Sequence, residues 1–276
     1  MHSQQLQLPH HHQLVMNRFV AACQADERVV AAFLGGSYAS GTADACSDLD
    51  LYLVTTDEAY DDFFNGREAF IRFLGEPVFL GDFNGYGFDM VTFIFADDTE
   101  GELVLGRESH FTHIHGGPYR VLLDKKAILA GIVFPWYKPA QTEQIETLRH
   151  LVYEFWHDLS HHFITPMARG QIWSAYAALE ALRLTCVNLL RLRQNFQAAA
   201  EGYEKVEQAI PVEQLSPLQA TFCPLEQAAM LQAALVIVRF YQELAPPLAQ
   251  AHGITYPADL ERVVSDRLEQ LRNTQN

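Results

Sequence analysis

The stretch GGSYASGTADACSDLDLYLV, residues 35–54, places a Gly-Ser turn ahead of two aspartates that bracket a single leucine. VVAAFL, residues 29–34, precedes it and has the length and unbroken apolar character of a buried strand. Gly35 and Gly36 permit a tight turn with close backbone approach, and Ser37 can open a short helix whose first amides lack partners within the helix. Asp48 and Asp50 flank Leu49 on a second strand. The two-residue period of a strand directs both carboxylates to one face, and Leu49, Leu51 and Leu53 to the other. Adjacent acids repel, and a bound Mg²⁺, which takes one or two carboxylates together with phosphate oxygens, relieves the repulsion. Backbone amides for phosphates and carboxylates for the accompanying cation are what a nucleoside triphosphate needs. A Gly-rich turn followed by a strand with a solvated acidic face is the plain alternative. The order of the parts between two apolar strands favours the nucleotide site.

Gly36, Ser37, Asp48 and Asp50 resemble the polymerase-beta-type nucleotidyltransferase superfamily, whose pattern is Gly-Ser, a spacer, then Asp-x-Asp. The likeness continues through FIFADDTEGELVLG (93–106), HGGPYRVLLDKKAIL (115–129), and a helix pair containing Phe155-Trp156, Arg169-Gly170 and Arg183. Over most of the chain these features look like the aminoglycoside-adenylyltransferase branch of the streptomycin-modifying type. The resemblance implies transfer of AMP from ATP to a hydroxyl of an aminoglycoside-like acceptor, release of pyrophosphate, metal held by Asp48 and Asp50, and a role in antibiotic resistance. A third acid commonly completes such a site. Glu102 follows a polar hairpin turn, as in the resembling enzymes, and Asp89, just before Met90, competes with it. The third acid serves as a further metal contact or as a general base toward the acceptor hydroxyl.

Charge narrows the acceptor. With 19 Lys and Arg against 34 Asp and Glu, the formal net charge is −15. That balance opposes sequence-independent contact with nucleic acid, which requires clustered Lys and Arg, and suits a small cationic acceptor. The four cysteines form no Cys-x-x-Cys pair, which fits a reducing cytoplasm and argues against a zinc knuckle or a disulfide framework. The opening MHSQQLQLPHHHQLVMNRF lacks a signal-peptide pattern, and no run of about 18 apolar residues suggests a membrane span. His10, His11 and His12 read as part of a polar leader.

Periodicity predicts an α+β chain: a mixed-sheet nucleotidyltransferase domain over residues 1–137 and an α-helical, acceptor-binding bundle over residues 138–276. The break falls in FPWYKPA, residues 134–140. Helices are predicted over 14–27, 57–74, 141–162, 171–195, 225–244 and 258–271, and strands over 29–34, 78–80, 90–95 and 102–105. A Pro-interrupted, looser segment spans Pro211, Pro217 and Pro224.

Several side chains carry weaker readings. Glu154 and Asp158 share a helix face and could grip an ammonium-rich acceptor, or simply solvate that face, with Glu180 a lesser candidate. Arg169 could hold triphosphate charge, or merely end a helix. His157 and His161 match the spacing of a zinc-protease helix, with Asp158 in place of its glutamate and no clear third ligand. His110, His113 and His115 are spaced closely enough to consider a metal. Beside the adenylyltransferase reading stand two others: a catalytically silent nucleotide-binding regulator of the same fold, and a zinc hydrolase using His157 and His161.

Overall fold

Among residues 9–275, which the computed structural model describes, the first of two units (Met1–Tyr137) is built on a six-stranded sheet. α1 (His10–Ala25) leads into β1 (Val29–Leu34), α2 (Gly36–Ser40) and β2 (Leu49–Thr55). α3 (Tyr60–Asn65), α4 (Arg67–Leu74), β3 (Pro77–Phe83), β4 (Asp89–Phe95), β5 (Glu100–Arg107) and β6 (Arg120–Asp124) follow. The strands lie in the order β3-β4-β5-β2-β1-β6, antiparallel except for the central pair β2 and β5, which run parallel. A parallel pair requires a long crossover, and α3, α4 and the β3-β4 hairpin supply it.

Period-two alternation sorts the strand residues between two apolar layers. Leu49, Leu51, Leu53, Val91, Phe93, Leu103 and Leu105 meet Val15, Phe19 and Cys23 of α1, Phe63 of α3 and Ile71 of α4. On the other face, Phe33, Tyr52, Val54, Met90 and Val104 pack under Phe111, Ile114, Leu129 and Phe134, which come from loops rather than helices. A register shift between Val29 and Ala31 of β1 turns Val30 and Ala31 to this second layer together, whereas Val29 and Ala32 stay with the first. Full burial of one such side chain contributes about 1.5–3 kcal/mol, so the sheet is fixed from both sides.

The second unit (Lys138–Asn276) is helical: α5 (Gln141–Asp158), a π-helical turn (Leu159–Ile164), α6 (Thr165–Ala168), α7 (Ile172–Gln194), α8 (Val206–Ala209), α9 (Val212–Gln219), α10 (Gln227–Ala251) and α11 (Ala258–Gln275). Its core centres on Phe155 stacked against Tyr241 at 3.6 Å, with Trp156 edge-on to Tyr241. Arg183 is buried, donating to the Thr221 hydroxyl at 2.7 Å and the Thr221 carbonyl at 2.9 Å and pairing with Glu180. The architecture is therefore α+β, a mixed sheet followed by a helical unit.

Several boundaries differ from the sequence expectation. The helix over 57–74 is two helices, separated where the Gly66 amide closes α3 by donating to the carbonyls of Asp62 and Phe63. α10 continues past Leu244 through Pro246 and Pro247, because Ala245, Leu248 and Ala249 still bury apolar surface. α10 is long and apolar enough to cross a membrane by length and composition, yet it forms much of the unit's own core. The Pro-interrupted segment carries a helix of its own, α9, and the short α8 lies just before it. β6 was not expected from sequence. The leader reading is overturned from His10 onward: these histidines open α1, and His12 is buried, its Nδ1 hydrogen-bonded with the Tyr38 hydroxyl at 2.5 Å. Burial holds the His12 pKa down. Residues 1–8, the remainder of the proposed leader, lie outside the described residues.

Candidate active site

β1 and β2 run antiparallel, so the chain leaving β1 emerges beside the start of β2. Leu34 sits opposite Leu51, and the Gly35 amide donates to the Asp50 carbonyl at 3.0 Å. Gly36 follows at φ 49°, in the left-handed region, and a Cβ there would overlap the Asp50 carboxylate. Only glycine therefore allows the turn and the acid to occupy the same corner. A Cβ on Gly35 would meet the Tyr52 ring at 2.7 Å and His115 at 2.9 Å, so this backbone is pressed against the aromatic layer.

The parallel register of β2 and β5 supplies the third carboxylate. Asp50 is opposite Glu102, and both belong to the loop-covered face with Tyr52 and Val104. Asp48 lies one residue before β2, exposed, and its charge still acts on Glu102. Burial, then Asp50, then Asp48 push the Glu102 carboxyl up to about 7. Asp48, Asp50 and Glu102 together offer an oxygen-only donor set of the kind a hard divalent cation takes.

Asp89 is placed elsewhere. It opposes Leu105, on the face that packs against α1, α3 and α4, and accepts from the Tyr60 hydroxyl at 2.5 Å. It lines a 390 Å³ cavity with Arg107, His110 and His113, toward the other end of β5 from Glu102. The choice the sequence left open is thus separated by strand parity: Glu102 shares a face with Asp50, and Asp89 does not.

Ser37 adds a buried hydroxyl. Its Oγ has no hydrogen-bond partner among the described residues, a costly state for a side chain on the turn that touches Asp50. A phosphate oxygen laid on the Gly-Ser turn would complete it, and together with the carboxylate set this fits a Mg²⁺-nucleotide. We expect Ser37→Ala to leave unliganded stability unchanged or raised by up to about 1 kcal/mol, while nucleotide affinity falls about tenfold. Thermal unfolding and nucleotide titration check this. Equal affinity for both proteins would remove Ser37 from the site.

Sequence reasoning missed Tyr52 and misread His115. Tyr52 stacks on Phe33 at 4.6 Å, and its hydroxyl is pushed up by burial and then by Glu102, Asp50 and Asp48. A period-two reading from Asp50 would have found it. His115 does not join His110 and His113, whose rings stack on each other at 4.2 Å. Its Nε2 donates to the Pro118 carbonyl at 2.9 Å, and its ring packs edge-on to Tyr52 and Phe134. Burial depresses its pKa, so it serves as a neutral wall behind the acids.

In the helical unit, Glu154 and Asp158 do share a face, but His157 Nδ1 lies 3.6 Å from the first and 3.5 Å from the second. Glu180 is the partner of buried Arg183. Arg169 is exposed at the end of α6, followed by Gly170 at φ 70°, an arrangement that stops a helix. His161 stacks beside His157 at 5.5 Å, and the residue that joins His157 and Asp158 is instead His162.

The Gly-Ser turn, the Asp-x-Asp pair and the adjacent strand acid thus come together at one corner of the sheet. Residues 10–271 match the streptomycin adenylyltransferase family, and the chain belongs to that family. No curated protein matches it individually. Among solved structures it is similar to an aminoglycoside 6-adenyltransferase from Bacillus subtilis, at 16% identity, covering 94% of this chain and 97% of that one, TM-score 0.45. It is also similar to a nucleotidyltransferase-like protein from Exiguobacterium sibiricum, at 12% identity, covering 84% and 74% respectively, TM-score 0.35.

Proposed function

We propose that this protein transfers AMP from Mg²⁺-ATP to a hydroxyl of a small cationic acceptor of the aminoglycoside class. The observation that carries the reading is the juxtaposition of Asp50 and Glu102 on parallel strands, beneath a Gly-Ser turn whose serine hydroxyl is unpartnered. Asp48 and Asp50 would hold the metal, and Ser37 with the Gly36 backbone would cradle phosphate oxygens. Mg²⁺, when bound, would neutralise phosphate charge and favour departure of pyrophosphate.

Glu102 suits proton removal because burial and two neighbouring acids raise its basicity above that of an ordinary carboxylate. A hydroxyl attacks phosphorus better as its proton leaves, so a carboxylate beside the metal site assists the acceptor at the moment of attack. Tyr52, Phe33 and His115 form an apolar back wall that fixes the strand carrying Asp50. The net charge of −15 favours encounter with a cation. A cytoplasmic location fits a co-substrate such as ATP.

A pyrophosphate-release assay with several nucleoside triphosphates, against aminoglycosides, lincosamides and polyamines, tests the acceptor class. Release with ATP and an aminoglycoside supports the reading. Turnover confined to a neutral acceptor would remove the charge argument, and release with no member of the panel would remove the acceptor assignment.

A further inference from the structure

We propose that His157, Asp158 and His162 form a binding site for one divalent transition-metal ion, of which Zn²⁺ is the representative, separate from the Asp48, Asp50 and Glu102 carboxylates. The inference is independent of the adenylyl-transfer reading.

One donor atom from each of the three residues lies within 4.8 Å of the other two. Asp158 Oδ1 is the pivot, 3.5 Å from His157 Nδ1 and 3.8 Å from His162 Nε2. Donors held about 2.0–2.2 Å from a zinc ion stand a little over 3 Å apart in a tetrahedron, so two of the three separations need to contract by only a few tenths of an ångström. His157 and His162 are exposed and Asp158 is half-exposed, which leaves the rings free to make that adjustment and solvent able to deliver the ion. Glu154 Oε2 stands 3.6 Å from His157 Nδ1, beside the group of three rather than in it.

The backbone is what assembles the group. On a regular α-helix, residues five apart point about 140° away from each other. Here α5 passes directly into the π-helical turn Leu159–Ile164, whose wider winding brings residue 162 back over residues 157 and 158. π-turns inside α-helices are frequent at functional sites. This one is anchored on its inner side by buried Leu159, Phe163 and Ile164, which leaves the histidines outward. The sequence pairing of His157 with His161 assumed an unbroken α-helix, so it chose the wrong second histidine.

Two imidazoles and one carboxylate suit Zn²⁺, Ni²⁺, Co²⁺ or Cu²⁺, in contrast to the oxygen-only set that suits Mg²⁺. The bound ion would tie the last turn of α5 to the π-turn and occupy Asp158, which then is not free to receive an ammonium group.

The test is Zn²⁺ calorimetry and Co²⁺ visible absorption on the full chain, in excess Mg²⁺ so that the carboxylate site is blocked. We expect one equivalent of Zn²⁺, a Co²⁺ spectrum with nitrogen ligands, and a zinc-dependent rise in the unfolding midpoint. His162→Gln and, separately, His157→Gln should weaken zinc at least tenfold and remove that rise. The paired changes His10→Gln with His11→Gln, and His110→Gln with His113→Gln, should leave it unchanged. Circular dichroism of each variant confirms folding. Absence of zinc binding, or unaltered binding in His162→Gln and His157→Gln, would show that the cluster is only a set of histidines beside acids and would overturn the site.

Discussion

We expect Asp50→Asn to lower nucleotidyl transfer by about three orders of magnitude while the protein remains folded. The size follows from removing a charged group that acts on the metal and phosphates where charge develops in the transition state. The preserved fold follows from the geometry. Asparagine has the shape of aspartate, so Gly36 still fits against it, and the hydrogen bond from the Gly35 amide uses the Asp50 backbone carbonyl rather than its side chain. Removing one of the three clustered negative charges also relieves repulsion, so the metal-free variant should unfold at a higher temperature than the parent. Asp48→Asn should act in the same direction with a smaller stability gain, because Asp48 is exposed before β2. Steady-state rates in Mg²⁺ and thermal unfolding without it provide the check. Full turnover by either variant would end the metal assignment.

The second large effect belongs to Glu102. If it is the base, Glu102→Gln retains Mg²⁺-ATP binding and loses about two to four orders of magnitude in the single-turnover rate, since the amide keeps the size but cannot accept a proton. If it is chiefly a metal ligand, nucleotide affinity falls with the rate. Asp89→Asn, on the opposite face, should do neither, and an inactive Asp89→Asn beside a normal Glu102→Gln would reverse the assignment. Stability gives an independent reading. Glu102 titrates near 7 in the metal-free fold, above its value in the unfolded chain. The folded state therefore holds the proton more tightly, and the stabilisation is complete below the unfolded carboxylate's pKa of about 4.3. It is lost as pH rises through about 7. Glu102→Gln should flatten that decline between pH 5 and about 8, and Mg²⁺ should restore stability to the parent at the alkaline end. A parent whose metal-free stability does not decline across this range would contradict the clustered-acid geometry.

What could be read from the sequence was what local pattern determines. VVAAFL is a strand because an unbroken apolar run suits a position covered on both faces, and β1 occupies residues 29–34 as expected. The Gly-Ser turn and the two aspartates were legible because their spacing along the chain is the site's own spacing. Glu102 was legible only as one of two candidates. Its parity with Asp50 arises from a parallel pairing between strands some 50 residues apart, which no local periodicity encodes. Tyr52 went unread because an aromatic in an apolar strand looks like core, and it is core, with its hydroxyl directed toward the acids. The polar edge strand β6 was missed because RVLLD alternates weakly. His12 reads as leader because a run of histidines carries no amphipathic signal, whereas its buried partner is Tyr38, 26 residues away. The π-turn at 159–164 likewise has no sequence period of its own. It follows from which residues the helical core buries.

The proposed reaction moves the α-phosphorus of a nucleotide, with its nucleoside, to a small acceptor. The most direct measurement is to supply ATP labelled at the α- or the γ-phosphate, with Mg²⁺ and an aminoglycoside panel, and to follow each label by mass spectrometry of the acceptor. The α-label and adenosine should appear together on the acceptor, the γ-label should leave entirely in pyrophosphate, and Asp50→Asn should slow both by about three orders of magnitude. An acceptor carrying the γ-label, or an α-labelled product formed equally by Asp50→Asn, would contradict it.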